Sequence, residues 1–182
     1  RIIETDNNNA SQPDRITTWN YSEAAGSKGL LTGVALKEGD EENQVVAFNY
    51  DAQHYNRQAS TTETLFGTTY TTTYSYDDQS GFPLRVKEVT YPSGYAIEKG
   101  YDATTGNVTE IRHNNQLLWK THEANALGQI THYEMGNGVH SYYQYDDRHL
   151  LSAQQASKNG NTIQNFGYSY DIFANLAART ED

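Results

Sequence analysis

A short pattern returns along this chain at nearly fixed intervals: an aromatic residue, a spacer, then Tyr-Asp and a turn. It reads Phe48-Asn49-Tyr50-Asp51, Tyr74-Ser75-Tyr76-Asp77, Gly100-Tyr101-Asp102, Tyr143-Gln144-Tyr145-Asp146 and Tyr168-Ser169-Tyr170-Asp171. A degenerate copy, His122-Glu123, fills the gap between the third and the fourth of these. The acidic positions 51, 77, 102, 123, 146 and 171 are then 26, 25, 21, 23 and 25 residues apart. A constant period means one structural unit used repeatedly. Two strands of about eight residues and two turns of about four occupy roughly 24 positions, so the period predicts one β-hairpin per copy.

Turn chemistry agrees with that length. Midway between the acidic markers lie Tyr91-Pro92-Ser93-Gly94-Tyr95, His113-Asn114-Asn115-Gln116, Gly136-Asn137-Gly138 and Lys158-Asn159-Gly160-Asn161. Proline presets one turn dihedral, and Gly and Asn tolerate positive φ, so these are read as hairpin tips. At the other end of each hairpin, the marker aspartate can accept a hydrogen bond from the backbone N–H two residues on and nucleate the second turn. Gly81, Gly106 and Gly128 follow the acid by four or five residues, where a left-handed residue closes a loop. Ala174 stands where the last copy lacks that glycine. The segments 86–91 and 106–112 alternate as strands do. Residues 1–44 fit the period less clearly, with strands at 30–36 and 44–48 and an older copy of the marker at Trp19-Asn20-Tyr21. No segment of twelve residues has a helical period. The expected fold class is all-β: about 14 antiparallel strands joined as consecutive hairpins, a strip that twists and curls into an open spiral or partial barrel.

Composition decides what fills such a sheet. Leu, Ile, Val and Phe together make up only 31 of the 182 residues, and the net charge is −10, a combination common in disordered chains. Fifteen tyrosines argue for order, since phenol rings stacked across strands contribute roughly 0.2–1 kcal/mol per pair. The acidic charge is spread over both halves without a basic stripe, which disfavours nucleic acid as a partner. No cysteine is present, which excludes disulfides and thiolate metal sites. No stretch approaches the roughly 18 apolar residues of a membrane-spanning helix.

The tandem markers resemble those of the Rhs/YD-repeat family, whose repeats are named for the Tyr-Asp pair. The family pattern, Tyr-Asp followed by Gly, Asn or Arg, a Leu or Val and a later Arg, is visible in Tyr101-Asp102-Ala103-Thr104-Thr105-Gly106-Asn107-Val108 through Arg112. It is visible again from Tyr170-Asp171 through Asn175-Leu176 to Arg179. The resemblance covers residues 45–182 well and 1–44 weakly, which suggests weaker N-terminal hairpins followed by one continuous array belonging to a longer protein. It implies a hollow β-shell of the kind found in Rhs polymorphic toxins, wall-associated proteins, insecticidal toxin complexes and teneurins. In bacterial members that shell encloses a C-terminal toxin released near an Asp-Pro core motif. This sequence has no Asp-Pro, and no catalytic residue is carried over. The expected role is therefore a non-catalytic shell section, secreted or displayed on a bacterial cell surface, around a toxin or other cargo encoded elsewhere. Its partners would be the remaining repeats of the parent chain, the cargo and, at the unpaired sheet edges, another copy of itself.

The structural marker residues are thus Tyr50, Asp51, Tyr76, Asp77, Tyr101, Asp102, Gly106, Tyr145, Asp146, Tyr170 and Asp171. Five of the six histidines, His113, His122, His132, His140 and His149, fall in one stretch, with spacings of 8–10 residues. Those spacings follow the hairpin length, so the histidines are read as solvent-facing strand positions, with no metal or cofactor expected. The pairs Asp77-Asp78 and Asp146-Asp147 sit at markers and are read as turn caps rather than as glycosidase acids. Trp19 and Trp119 are candidates for stacking on sugars, which gives an alternative reading as a module that binds polysaccharide or a cell-surface partner.

Overall fold

The structure, a computed structural model, describes residues 2–6, 15–38, 41–78 and 81–181. The described residues form fifteen strands and no helix, against the about fourteen strands expected. They fall into two compact units, residues 1–96 and 97–182. In the first unit β1 (Ile2–Asp6), β2 (Arg15–Tyr21), β3 (Leu31–Glu38), β4 (Glu41–Asp51), β5 (Arg57–Leu65), β6 (Thr68–Tyr76) and β7 (Val86–Thr90) pair in chain order, every pair antiparallel. The second contains β8 (Ala96–Tyr101), β9 (Val108–His113), β10 (Gln116–Ala124), β11 (Ile130–Met135), β12 (Val139–Tyr145), β13 (Leu151–Lys158), β14 (Asn161–Tyr170) and β15 (Leu176–Glu181), again antiparallel neighbours in order.

The hairpin tips lie where the turn residues place them. Asn114 and Asn115 have φ of 47° and 64°, and Asn159 and Gly160 have 51° and 78°, so both tips are two-residue turns with two left-handed positions. The same turn forms at Phe66-Gly67, with φ of 45° and 80°. Such turns match the twist of the flanking strands, so local sequence sets register at this end of each hairpin.

Few side chains are enclosed. Among the described residues, Val89 (8% exposed) is the buried hydrophobic residue and Ser141 (5%) the buried polar one. Cross-strand pairs supply the cohesion instead. In the first unit Thr62 and Thr64 on β5 oppose Thr71 and Thr69 on β6, each pair with hydroxyls 3.2 Å apart. In the second, Trp119, Tyr133 and Tyr143 make an aromatic row across β10, β11 and β12, with centroid separations of 6.3 and 5.7 Å. The Tyr133 and Tyr143 hydroxyls are 3.3 Å apart. Burial, helped by that shared hydrogen bond, pushes the Tyr143 phenol up to about 12.

Candidate functional site

The repeating marker is a three-part device: a β-bulge, a phenol anchor and a capped turn. A register shift immediately precedes the marker tyrosine in copy after copy, between Asn20 and Tyr21, Asn49 and Tyr50, Ser75 and Tyr76, Gly100 and Tyr101, Gln144 and Tyr145, and Ser169 and Tyr170. A bulge puts two residues of one strand opposite one of its partner, which breaks the alternation and re-aims the following side chain. On β10 the corresponding shift falls between Glu123 and Ala124. The degenerate copy is therefore Ala124-Asn125, and His122-Glu123 belongs to the strand before it. Alanine for tyrosine and asparagine for aspartate hid that copy, and the neighbouring acid at 123 imitated it. Gly128 consequently follows its marker by three residues rather than five. At the N-terminal end the copy beginning Trp19-Asn20-Tyr21 continues with Ser22 in the acid's place.

Four of the re-aimed phenols reach back to the preceding hairpin. The Tyr50 hydroxyl donates to the Leu31 carbonyl at 2.8 Å, Tyr76 to Gln58 at 2.6 Å, Tyr145 to Ile130 at 3.1 Å and Tyr170 to Leu151 at 2.9 Å. The acceptors share one address. Leu31 is in register with Tyr21, Gln58 with Tyr50, Ile130 with Ala124 and Leu151 with Tyr145. Every one of these phenols thus fastens its own hairpin to the marker of the copy before it. Burial raises the Tyr76 phenol, although the Arg57 guanidinium lies 4.4 Å above its ring.

The next residue caps the turn. Oδ1 of Asp51, Asp102, Asn125, Asp146 and Asp171 accepts from the N–H two residues on (Gln53, Thr104, Leu127, Arg148 and Phe173) at 2.8–3.1 Å. Ser22 Oγ accepts from Ala24 N–H at 3.3 Å. The residue two beyond Asp77 lies outside the described residues; there the Asp77 N–H donates to the Arg85 carbonyl at 3.0 Å. Asn125, Asp146 and Asp171 make the same five-residue turn, each also accepting on Oδ1 from the N–H four residues on. Its fourth residue is left-handed in each case: Gly128, His149 and Ala174, with φ of 79°, 64° and 65°. Gly106, φ 76°, closes the longer turn after Asp102, donating to the Asp102 carbonyl at 3.0 Å.

These bonds set the charge state of the caps. The Leu150 N–H, and after it the Arg148 N–H and guanidinium, hold the Asp146 carboxyl below its ordinary value despite some burial. The Asn175 side-chain and backbone donors do the same for Asp171. In the first unit the Arg57 guanidinium, 7% exposed, bonds both carboxylate oxygens of Asp78, Oδ2 of Asp51 at 3.3 Å and the Pro83 carbonyl at 2.5 Å. It lowers Asp78 directly; at Asp51, burial opposes the His54 and Gln53 hydrogen bonds that win and lower it.

Trp19 is half-buried on β2, and Trp119 stands in the aromatic row. Three histidines, His122, His132 and His140, lie together on β10, β11 and β12. Spacings that follow the hairpin length put them side by side; His122 is exposed as expected of a solvent-facing strand position, whereas strand pairing leaves His132 and His140 half-buried and His149 lies in a turn.

No protein-family model matches the chain, and no curated protein matches it. Solved structures do. A chain of the Tc holotoxin pore of Photorhabdus luminescens, carrying a TccC3 mutation, is 17% identical with a TM-score of 0.62; the match covers 92% of this chain and 10% of that one. Chains of the TcdB2-TccC3-Cdc42 and TcdB2-TccC3 crystal structures are each 17% identical with a TM-score of 0.63, covering 92% of this chain and 10% and 11% of theirs. The chain thus spans about a tenth of the length of the solved chains it matches. Over that span the hairpin array announced by the Tyr-Asp markers, and by their resemblance to Rhs/YD repeats, has the fold of these Tc toxin chains.

Proposed function

We propose that this chain is a non-catalytic section of the wall of an Rhs/YD-type β-shell, which encloses or presents a toxin or other cargo encoded elsewhere in a secreted or surface-displayed protein. The observation that carries the reading is the apolar character of the marker turns. Tyr55, Leu84, Leu127, Ile172 and Phe173 are 76%, 63%, 61%, 85% and 78% exposed at those turns, while few of the described side chains are enclosed. Exposed apolar groups at the marker turns of each unit mark surfaces that pack against something, and in a shell wall the neighbouring course of repeats supplies it. The capping carboxylates support the non-catalytic part of the reading, because Asp146 and Asp171 are committed to their own turns and Asp78 to Arg57.

The test is maleimide labelling of Phe173→Cys in the present chain and in a version extended by the repeats of its parent gene. Free labelling in the first and protection in the second is the expected result. Equal labelling in both overturns the wall reading. The alternative, a polysaccharide-binding module, predicts quenching of Trp119 fluorescence by added glycans. The Trp119 ring beside Tyr133 favours packing, and hence no quenching.

A further inference from the structure

One cluster of side chains is not used by the marker device. His122 on β10, His132 on β11 and His140 on β12 bring a ring nitrogen each to within 4.8 Å of one another. His132 Nε2 and His140 Nδ1 are 3.0 Å apart, and His122 Nε2 is 3.0 Å from Oε2 of Glu134, the register partner of His140. Three imidazoles and a carboxylate from three adjacent strands therefore form one patch on the sheet face opposite the Trp119–Tyr133–Tyr143 row.

The local structure fixes this patch in two ways. The bulge between Thr121 and Glu123 sets β10 so that the His122 ring stacks on His132, with centroids 4.6 Å apart. On the far side of His132, its register partner Tyr142 stacks at 4.3 Å. His132 is held between two rings, with little freedom to turn away. Gathering three groups that can each take a proton is unfavourable once they become charged, and a divalent cation shared among their lone pairs removes that repulsion.

We propose that His122, His132 and His140, with Glu134 as the fourth ligand, form a zinc-class transition-metal site that staples β10, β11 and β12 together. Three imidazole nitrogens and one carboxylate oxygen are a donor set that zinc accepts in tetrahedral geometry. Nitrogen ligands about 2.0–2.1 Å from the metal lie roughly 3.3 Å from one another. The His132–His140 pair already stands near that distance, and turning the His122 ring brings in the third nitrogen. Both hydrogen-bonded pairs are ones a metal ion replaces: each imidazole turns a lone pair to the cation and carries its N–H on the other ring nitrogen, and the Glu134 carboxylate gives an oxygen in place of its hydrogen bond to His122. Where few of the described side chains are enclosed, such a cross-link adds stability that rises with the logarithm of metal concentration above the dissociation constant. Nothing in this inference depends on the shell reading, since a free-standing sheet would carry the same site.

The test is calorimetric titration of the full 182-residue chain with zinc chloride, together with the visible spectrum of its cobalt(II) form. One saturable site, intense tetrahedral cobalt bands and a zinc-dependent rise in melting temperature are expected. His122→Gln, which keeps a polar side chain at the surface, lowers zinc affinity by at least the roughly tenfold to hundredfold that loss of an outer-shell partner costs. His132→Ala does the same if it folds. His149→Asn, outside the patch and tolerant of the left-handed turn, leaves affinity unchanged. The absence of saturable binding at millimolar zinc in the folded chain overturns the proposal, and so does undiminished affinity in folded His122→Gln.

Discussion

The turn after Asp51 and the turns after Asp146 and Asp171 begin with the same Tyr-Asp pair and are secured differently. Asp146 and Asp171 each take two N–H groups of their own five-residue turn, so closure is local. Asp51 takes one, and the rest of its holding comes from His54 and from Arg57, which also grips Asp78 and the Pro83 carbonyl of the next marker turn. In the second unit two lighter links of that kind join successive turns: Arg148 donates to the Asp171 carbonyl at 2.7 Å, and Gln129 to the His149 carbonyl at 3.0 Å. A turn of the minimal five residues satisfies itself. The longer excursions after Asp51 and Asp77 leave more backbone to order, and a nearly buried guanidinium organises it.

The largest expected effect tests that difference directly. Arg57→Ala removes a shielded cation from between two carboxylates and leaves them facing each other, so it lowers the melting temperature of the first unit by more than about 4 °C. Arg148→Ala, at a side chain 46% exposed, costs the second unit less than that. Thermal melts followed separately through Trp19 and Trp119, in single-tryptophan variants, give the two numbers. Equal losses would mean that Arg57 does not organise its turns.

Acid separates the units as well. His132 is held below the ordinary histidine value of 6.5 by burial and by its neighbours His122 and His140. Its charged form is therefore disfavoured in the fold. The unfolded chain takes up that proton first, so the second unit's stability is full above pH 6.5 and declines as pH falls below it. The carboxylates Asp51, Asp78, Asp146 and Asp171 are likewise lowered from 3.8, and their contribution is present above that value and lost as pH falls through their lowered ones. Melting through Trp119 should begin to fall near pH 6.5, and melting through Trp19 only near pH 4. Coincident curves would contradict this.

Smaller effects probe what the units share. Tyr50→Phe and Tyr145→Phe each delete one hydroxyl bond to the preceding hairpin and cost about 0.5–1.5 kcal/mol by denaturant unfolding. A cost in one unit alone would show that the phenol anchor is not a property of the marker. The smallest change is a gain: Ala174→Gly relieves a left-handed alanine and stabilises by about 0.5–1 kcal/mol. The reverse exchange, Gly128→Ala, loses a comparable amount, because a Cβ there meets nothing within 4 Å and φ is the only penalty.

The period, the hairpins and the tips at Pro92-Ser93-Gly94, Asn114-Asn115 and Asn159-Gly160 were determined by the sequence itself, because turn preferences act over four or five residues and need no distant partner. What lay beyond it was everything that depends on register. Ala124-Asn125 became recognisable as a marker only when the β10 bulge located it, and the phenols found their carbonyls only once neighbouring strands were aligned. The histidines show the same limit. Spacings of 8–10 residues fix a position along each strand, but strand pairing decides which side chains meet, and pairing is a contest among distant segments that only the folded chain resolves.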